Sequence, residues 1–326
     1  MEAKVTGSVP AFPEKSAVPP VFGGAGVPYA AFSLRDPYYR EMARLVLAEV
    51  KQVKRAIGGP MENCVDLGAG VGVSTMELLP SFKRIIAVEP EESMREILGM
   101  NLFCNPKVAI RSGKAEQLSA VLDDDDVGVI DVVTMCQVMH NLKEVLPTVL
   151  AEISRVLCED GVLAFDLGPS NFEFTTHKIS DHRSGKAPAA DEIMTELSHP
   201  LYLIAHDVVM ATVKERYPDF DRENLWPPAG KKFSREELRP AFAAAGLEMV
   251  RVTEIMVPIS GERVLEFLKN AWAVFFRWKP LCDLPIKEKI SAMEDSIKTL
   301  CSHPDFDELV SVVAYHPTAI ITAVKK

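Results

Sequence analysis

The sequence predicts an α/β fold: a doubly wound, seven-stranded, mostly parallel sheet whose last strand runs antiparallel, with helical lid insertions. Three observations carry that expectation. The stretch VDLGAGVGVST, Val65 to Thr75, reads as strand, glycine turn and helix, with glycines 68, 70 and 72 where a parallel strand would feed a helix. Strand-length apolar runs then alternate with helical periods as far as Val162 to Asp166. The closing apolar run, Val312 to Val324 with a break expected at Pro317, would pair antiparallel and complete the sheet.

Residues 1–28 carry Pro10, Pro13, Pro19, Pro20 and Pro28 with Gly23, Gly24 and Gly26. They lack a sustained apolar period, so a mobile tail is expected, either disordered or folding over a bound ligand. Asp36-Pro37 reads as N-cap and first helical residue of a helix that Gly58-Gly59 ends. A core over 29–167 follows: a second strand at Ile85 to Val88, a helix from Ser93 to Asn101, a third strand at Lys107 to Arg111 and a fourth at Val129 to Thr134. The acidic run Asp123 to Asp126 is expected to be solvated rather than to hold a metal. Val145 to Leu157 reads as a helix, and Glu159-Asp160-Gly161 turns into the fifth strand, Val162 to Asp166.

From 168 to 233 the alternation stops, with helical patterns at Ala190 to Leu197 and Leu201 to Arg216 broken by Pro200. This segment is expected to be a lid or substrate insertion. The span 234–326 completes the sheet: Ser234 with Glu237 makes a capping box, Gly246 ends that helix, and Leu247 to Glu254 is the sixth strand. A second helical insertion, about 258–308, contains a very apolar helix from Val264 to Phe276 that reads as core or as part of an acceptor pocket.

Composition narrows the function classes. The chain has 326 residues, 48% apolar and 25% charged, enough to bury a substantial core. Its net charge of −10, with no basic stripe, argues against a nucleic acid partner. The six cysteines show no C-x-x-C spacing, so neither a zinc site nor a disulfide framework is indicated and a reducing compartment is expected. No leader pattern and no membrane-spanning apolar run is seen, which predicts a cytoplasmic protein; the oligomeric state is not indicated.

The chemistry centres on the glycine turn. A dinucleotide fingerprint would need a third glycine at position 73, where this chain has Val73, so a phosphate ligand is disfavoured. The turn Gly68-Ala69-Gly70 with Gly72 offers backbone N–H groups at a helix N-terminus for a carboxylate, and Asp66 offers an anion for an ammonium. That pair suits an amino acid moiety. Seventeen residues past Gly72, Glu89 ends the second strand where a carboxylate would meet ribose hydroxyls. Amino acid and ribose together describe S-adenosylmethionine. The pattern D-x-G-x-G-x-G followed by an acidic residue at the next strand end resembles the class I S-adenosylmethionine-dependent methyltransferases, in their small-molecule branch.

That resemblance implies further roles. Pro90 would follow Glu89 along the cofactor, and Met94 stands where the family places an apolar contact for adenine, or else in the core. Adenine contacts would come from around Ala115 and Glu116; Lys114 occupies the family's usual acidic position, and Glu116 is the substitute. Cys136 and Gln137 end the fourth strand beside the glycine turn. That end carries neither N-P-P-Y nor D-P-P-Y, nor the acid of metal-dependent catechol methyltransferases, so a metal-free enzyme is expected, with no metal ligands. EISRVLCEDGVLAFDLG resembles the family's helix, turn and fifth strand. Tyr29, Tyr38 and Tyr39 are candidates for the cofactor carboxylate or for packing. A general base could be His140, His177, His182 or His206, or the reaction could proceed with no protein base. The implied activity is methyl transfer to a small or medium organic acceptor bearing a hydroxyl or carboxylate, leaving S-adenosyl-L-homocysteine. The rivals are a dehydrogenase and a cofactor-binding regulator or scaffold that transfers nothing.

Overall fold

Residues 32–103, 105–168, 171–174, 199–216, 232–270 and 286–326 are described in the computed structural model. The expected N-terminal tail and Tyr29 lie outside them. Helix α1, Pro37–Ile57, starts where the Asp36 carboxylate accepts the Tyr38 N–H at 3.1 Å and stops at Gly58, whose left-handed backbone returns its N–H to the Lys54 carbonyl. Then come β1 (Asn63–Leu67), α2 (Val73–Leu78), β2 (Arg84–Val88), α3 (Glu92–Asn101), β3 (Val108–Arg111) and the short α4 (Leu118–Val121). After these follow β4 (Ile130–Met135), α5 (Leu146–Val156), β5 (Leu157–Leu167), α6 (Pro200–Arg216) and α7 (Arg235–Ala244). The chain closes with β6 (Leu247–Ser260), α8 (Gly261–Asn270), α9 (Ile286–Cys301), α10 (Phe306–Ser311) and β7 (Val313–Lys325).

The strands lie in the order β3-β2-β1-β4-β5-β7-β6. β1 to β5 are mutually parallel, and β7 runs antiparallel to both its neighbours, as expected. Helices cover both faces, which is why the central strands are apolar throughout rather than alternating. On one face Val65, Ile86, Val133 and Leu163 pack with residues of α5 and α7. On the other, Cys64, Ile85, Val132 and Ala164 pack with Val46, Val50 and Val53 of α1. Ser234 caps α7 by accepting the Glu237 N–H at 3.2 Å.

Several expectations are corrected. The Glu159-Asp160-Gly161 turn is a bulge inside a continuous β5: pairing jumps from Ile130↔Leu157 to Val132↔Val162, and Asp160 takes a φ of 59° with its carbonyl held by Lys54 Nζ at 2.9 Å. The acidic run is not simply solvated. Asp126 is buried against both terminal nitrogens of Arg84, and Asp123 meets Arg111 at 3.0 Å, because β2 and β3 each present an arginine to that loop. β6 continues to Ser260, so the second insertion starts at Gly261. No break occurs at Pro317, which pairs with Met256.

The reason for that last result also places the helices between β6 and β7. β6 and β7 stay paired as far as Ser260↔Val313, but β5 and β7 part after Leu167↔Ala319. Residues Val313 to Thr318 therefore have one neighbouring strand, the edge setting in which proline is tolerated. The β6–β7 ribbon rises past the carboxyl end of β5 and carries the helical insertion there. Val257 and Ile259 of the ribbon, Leu201 and Val209 of α6, Val264 and Leu268 of α8, and Ala292 and Leu300 of α9 form a second core. Tyr38 and Met42 of α1 join it, so one helix belongs to both cores.

That joint is fixed by a buried ion pair. Arg263 Nε reaches both oxygens of Asp36, at 2.9 and 3.1 Å, and its guanidinium lies 4.4 Å from the Tyr38 ring centre. The side chains are 11% and 1% exposed. Arg263→Ala would strand the Asp36 charge, and chemical denaturation should show a loss of about 3–5 kcal/mol. A loss below about 1 kcal/mol, the range of a surface pair, would show that the joint does not depend on it.

Candidate functional site

The glycine turn joins β1 to α2 at the carboxyl edge of the sheet, and its three glycines have different reasons to be there. All three have positive φ, at 76°, 56° and 96°. A Cβ on Gly68 would stand 2.5 Å from Val138 Cγ2, and one on Gly72 would stand 2.7 Å from Leu98 Cδ1. Those two allow close packing. A Cβ on Gly70 would meet nothing within 4 Å, so Gly70 faces open space where a ligand can approach the backbone.

Sequence reasoning expected these backbone N–H groups to await a ligand carboxylate. In the structure they are engaged. Gly68 and Ala69 donate to the Val88 carbonyl at 2.8 and 3.1 Å, Gly72 donates to Ala69, and Gly70 donates to Glu89 Oε2 at 2.9 Å. Asp66 is also corrected. Fully buried, it takes the hydroxyls of Ser74 and Thr75 on Oδ2, at 2.7 and 2.6 Å, with Thr134 3.4 Å from Oδ1. Burial raises its pKa and the three hydroxyls oppose the shift. Asp66 shapes the turn from beneath, and no water-facing oxygen is left to meet an ammonium.

Glu89 directly follows the last residue of β2. Its Oε1 accepts the Glu91 N–H at 3.0 Å, so each oxygen has one backbone donor and capacity for another, as two ribose hydroxyls would require. The residue is 7% exposed, and burial raises its pKa while the Glu91 and Gly70 N–H bonds hold it down. Pro90 is exposed, and its carbonyl accepts from Arg95 at 2.6 Å. Met94 is buried with Val71 and Val73, with Tyr39 against the cluster, so it packs beneath the turn. Ala115 is buried and Glu116 half-buried in the helical turn that follows β3.

β4 delivers Cys136 and Gln137 beside this turn. Burial pushes the Cys136 thiol well up, and the charges of Asp166 and Asp66 push it further, so it is a protonated wall residue rather than a thiolate nucleophile. Gln137 is left-handed, at φ 59°, with its backbone N–H on Asp166 Oδ1 at 2.7 Å. His140 follows in a helical turn, Met139–Asn141, and is half-buried. His206 lies on α6, whereas His177 and His182 fall outside the described residues. The structure thus gathers Gly70, Glu89, Cys136, Gln137 and His140 from three adjacent strand ends. It does not bring Asp66 to the surface of the site.

Sequence reasoning missed Val138, whose packing on Gly68 has no local signature, and Asp166. An acid at the end of a central strand was the available signal for Asp166, the same one that identified Glu89. Among the described residues no group of three His, Cys, Asp or Glu side chains is placed to hold a metal. A cleft of about 260 Å³ opens where α1 meets α8, lined by Phe32, Arg35, Glu262 and Arg263 among others, and none of its lining residues belongs to the glycine turn.

The family described as "Methyltransferase domain" matches residues 65–165, from β1 through β5. A Saccharomyces cerevisiae protein described as "Probable S-adenosylmethionine-dependent methyltransferase CRG1" is 25% identical over 122 residues. That match covers 36% of this chain and 40% of the yeast protein, so the chain spans well under two thirds of that relative's length. Among solved structures, the YcgJ protein of Bacillus subtilis is 15% identical with a TM-score of 0.44, over 85% of this chain and 97% of that one. A Haemonchus contortus phosphoethanolamine N-methyltransferase 2, in complex with phosphomonomethylethanolamine and S-adenosylhomocysteine, is 11% identical with a TM-score of 0.43, over 85% and 52% of the two chains. Geranyl diphosphate C-methyltransferase of Streptomyces coelicolor is 14% identical with a TM-score of 0.40, over 86% and 77%. The structural likenesses concern the course of the chain only.

Two substitutions test the geometry by calorimetry with S-adenosylhomocysteine. Gly70→Val puts a β-branched side chain into the open side of the turn, and binding should be lost while a folded melt is retained. A variant that still binds would remove Gly70 from the site. Glu89→Ala should weaken binding by about 1.5–3 kcal/mol through loss of charge-assisted hydrogen bonds. Unchanged affinity would sink the ribose assignment.

Proposed function

We propose that this chain, whose residues 65–165 match the family described as "Methyltransferase domain", is a class I S-adenosylmethionine-dependent methyltransferase, a metal-independent cytoplasmic enzyme acting on a small or medium organic acceptor with a hydroxyl or carboxylate. The observation that carries the reading is the open side of Gly70 beside the two-oxygen cradle of Glu89. When bound, S-adenosylmethionine would supply an electrophilic methyl group on its sulfonium for in-line transfer to the acceptor, with the thioether S-adenosylhomocysteine as leaving group. On this reading Glu89 accepts the ribose hydroxyls, Ala115 and Glu116 border the adenine, and Cys136 and Gln137 wall the methionine end. Alignment then accounts for most of the rate, and His140 or His206 serves as base only for an acceptor that must lose a proton.

The acceptor side is argued from how the first insertion is anchored. Its two ends are tied by a parallel bridge between Phe172 and Phe233: Glu173 donates to the Phe233 carbonyl at 2.9 Å and Phe233 to that of Asn171 at 2.7 Å. Phe172 meets Phe174 edge to face at 5.3 Å. An insertion pinned at its base by aromatic residues, whose helix α6 packs with α8 and α9 from the second insertion, supports a cap to which α6, α8 and α9 contribute. A capped, partly apolar site suits a molecule of natural-product or fatty-acid size. The net charge of −10 disfavours a nucleic acid acceptor. No helix among the described residues is long and apolar enough to cross a membrane.

The rival reading is a cofactor-binding regulator that transfers nothing; intact Gly70 and Glu89 do not separate the two. Labelled S-adenosylmethionine offered separately with a metabolite extract, total protein and total RNA will separate them, each arm run with and without EDTA. Label is expected in the metabolite arm, undiminished by chelator. Label only in protein or RNA defeats the small-molecule reading, loss with EDTA restored by magnesium defeats metal independence, and label in no arm despite tight binding favours the regulator.

A further inference from the structure

At the carboxyl end of β4 the backbone adopts a conformation that side chains resist. Gln137 and Asp160 are the non-glycine residues with positive φ among those described, and the left-handed region is unfavourable for a residue with a Cβ. Asp166 offsets that cost for Gln137. One of its oxygens accepts the Gln137 N–H at 2.7 Å and the other accepts the Nε2 amide of the same residue. The pairing of Met135 with Phe165 sets the next residues of each strand, Cys136 and Asp166, side by side at the sheet's edge.

The turn has a consequence three residues past the end of β4. It sends Val138 back onto Gly68, so closely that any Cβ there would collide with Val138. Gly68 in turn donates to the Val88 carbonyl at 2.8 Å, immediately before Glu89. Asp166 is 1% exposed, shut away from whatever binds at Gly70. A buried carboxylate that merely stapled β4 to β5 could be replaced by apolar packing at little cost. Its two bonds instead converge on one left-handed residue.

We infer that Asp166 is a positioning residue for the cofactor site: by engaging both donors of Gln137 it holds that residue left-handed, which seats Val138 on Gly68 and fixes the glycine turn against Glu89. The inference rests on the cofactor reading above and adds a residue to it.

Calorimetry with S-adenosylhomocysteine on the full chain, paired with thermal melts, tests it. Asp166→Asn keeps the shape but accepts through one oxygen only. Its Kd should rise about tenfold in the native background, yet less than about threefold in a Gln137→Gly background, because glycine adopts the left-handed turn unaided. Equal losses in both backgrounds, or a lowered melting temperature with unchanged Kd, overturn the inference. If Asp166→Asn does not fold, Gln137→Val and Gln137→Gly are compared with Asp166 intact: valine resists the left-handed region and should bind about tenfold more weakly than glycine. Equal affinities there overturn the inference as well. Unsubstituted protein that fails to bind S-adenosylhomocysteine overturns the cofactor reading itself and this inference with it, whereas binding with insensitive variants overturns the inference alone.

Discussion

The Asp66 carboxylate has no exposure to water, and the hydroxyls of Ser74, Thr75 and Thr134 surround it, so the end of β1, the first turn of α2 and strand β4 meet at one negative group. Such a group would be costly without partners, since burial disfavours its charged form, as its raised pKa reflects. The hydroxyls are close because α2 starts straight after the turn, and the turn can be that short because Gly68, Gly70 and Gly72 accept positive φ. The shape of the turn therefore follows from an interaction sealed beneath it.

Above Asp66 the site is assembled from strand ends that arrive from distant parts of the chain. Glu89 comes from β2 and Gln137 from β4, and Asp166 of β5 holds Gln137 in place. Three largely buried acids, Asp66, Glu89 and Asp166, thus lie along one edge of the sheet, each with its pKa raised by burial.

The second core depends on a different constraint. β7 outlasts β5, and the unpaired length becomes a ribbon on which α6, α8 and α9 gather a second core. Helix α1 ties that core to the sheet: its middle packs under the strands, while its first turn meets the ribbon through Tyr38, whose ring lies 5.2 Å from that of His316, and through the Asp36 pair with Arg263. Tyr39 of the same helix packs against the Val71, Val73 and Met94 cluster, so α1 touches the second core, the sheet and the residues around the glycine turn.

The sequence by itself determined the alternation of strands and helices from β1 to β5, the cap of the first helix, the glycine turn and the place of the acid at position 89. Each is encoded locally, as an apolar run, a cap residue or a backbone that only glycine adopts freely. It did not determine that Asp66 faces inward, that each glycine of the turn serves a different neighbour, or that Pro317 sits in an unbroken strand. Those outcomes depend on residues far along the chain: Val138 against Gly68, Leu98 against Gly72, and Met256 beside Pro317. Nor could a local pattern pair Asp36 with Arg263 across 227 positions, or show that Gln137 is left-handed. Only the tertiary structure decided these, because which carboxylate faces a ligand and which is enclosed depends on what packs over it.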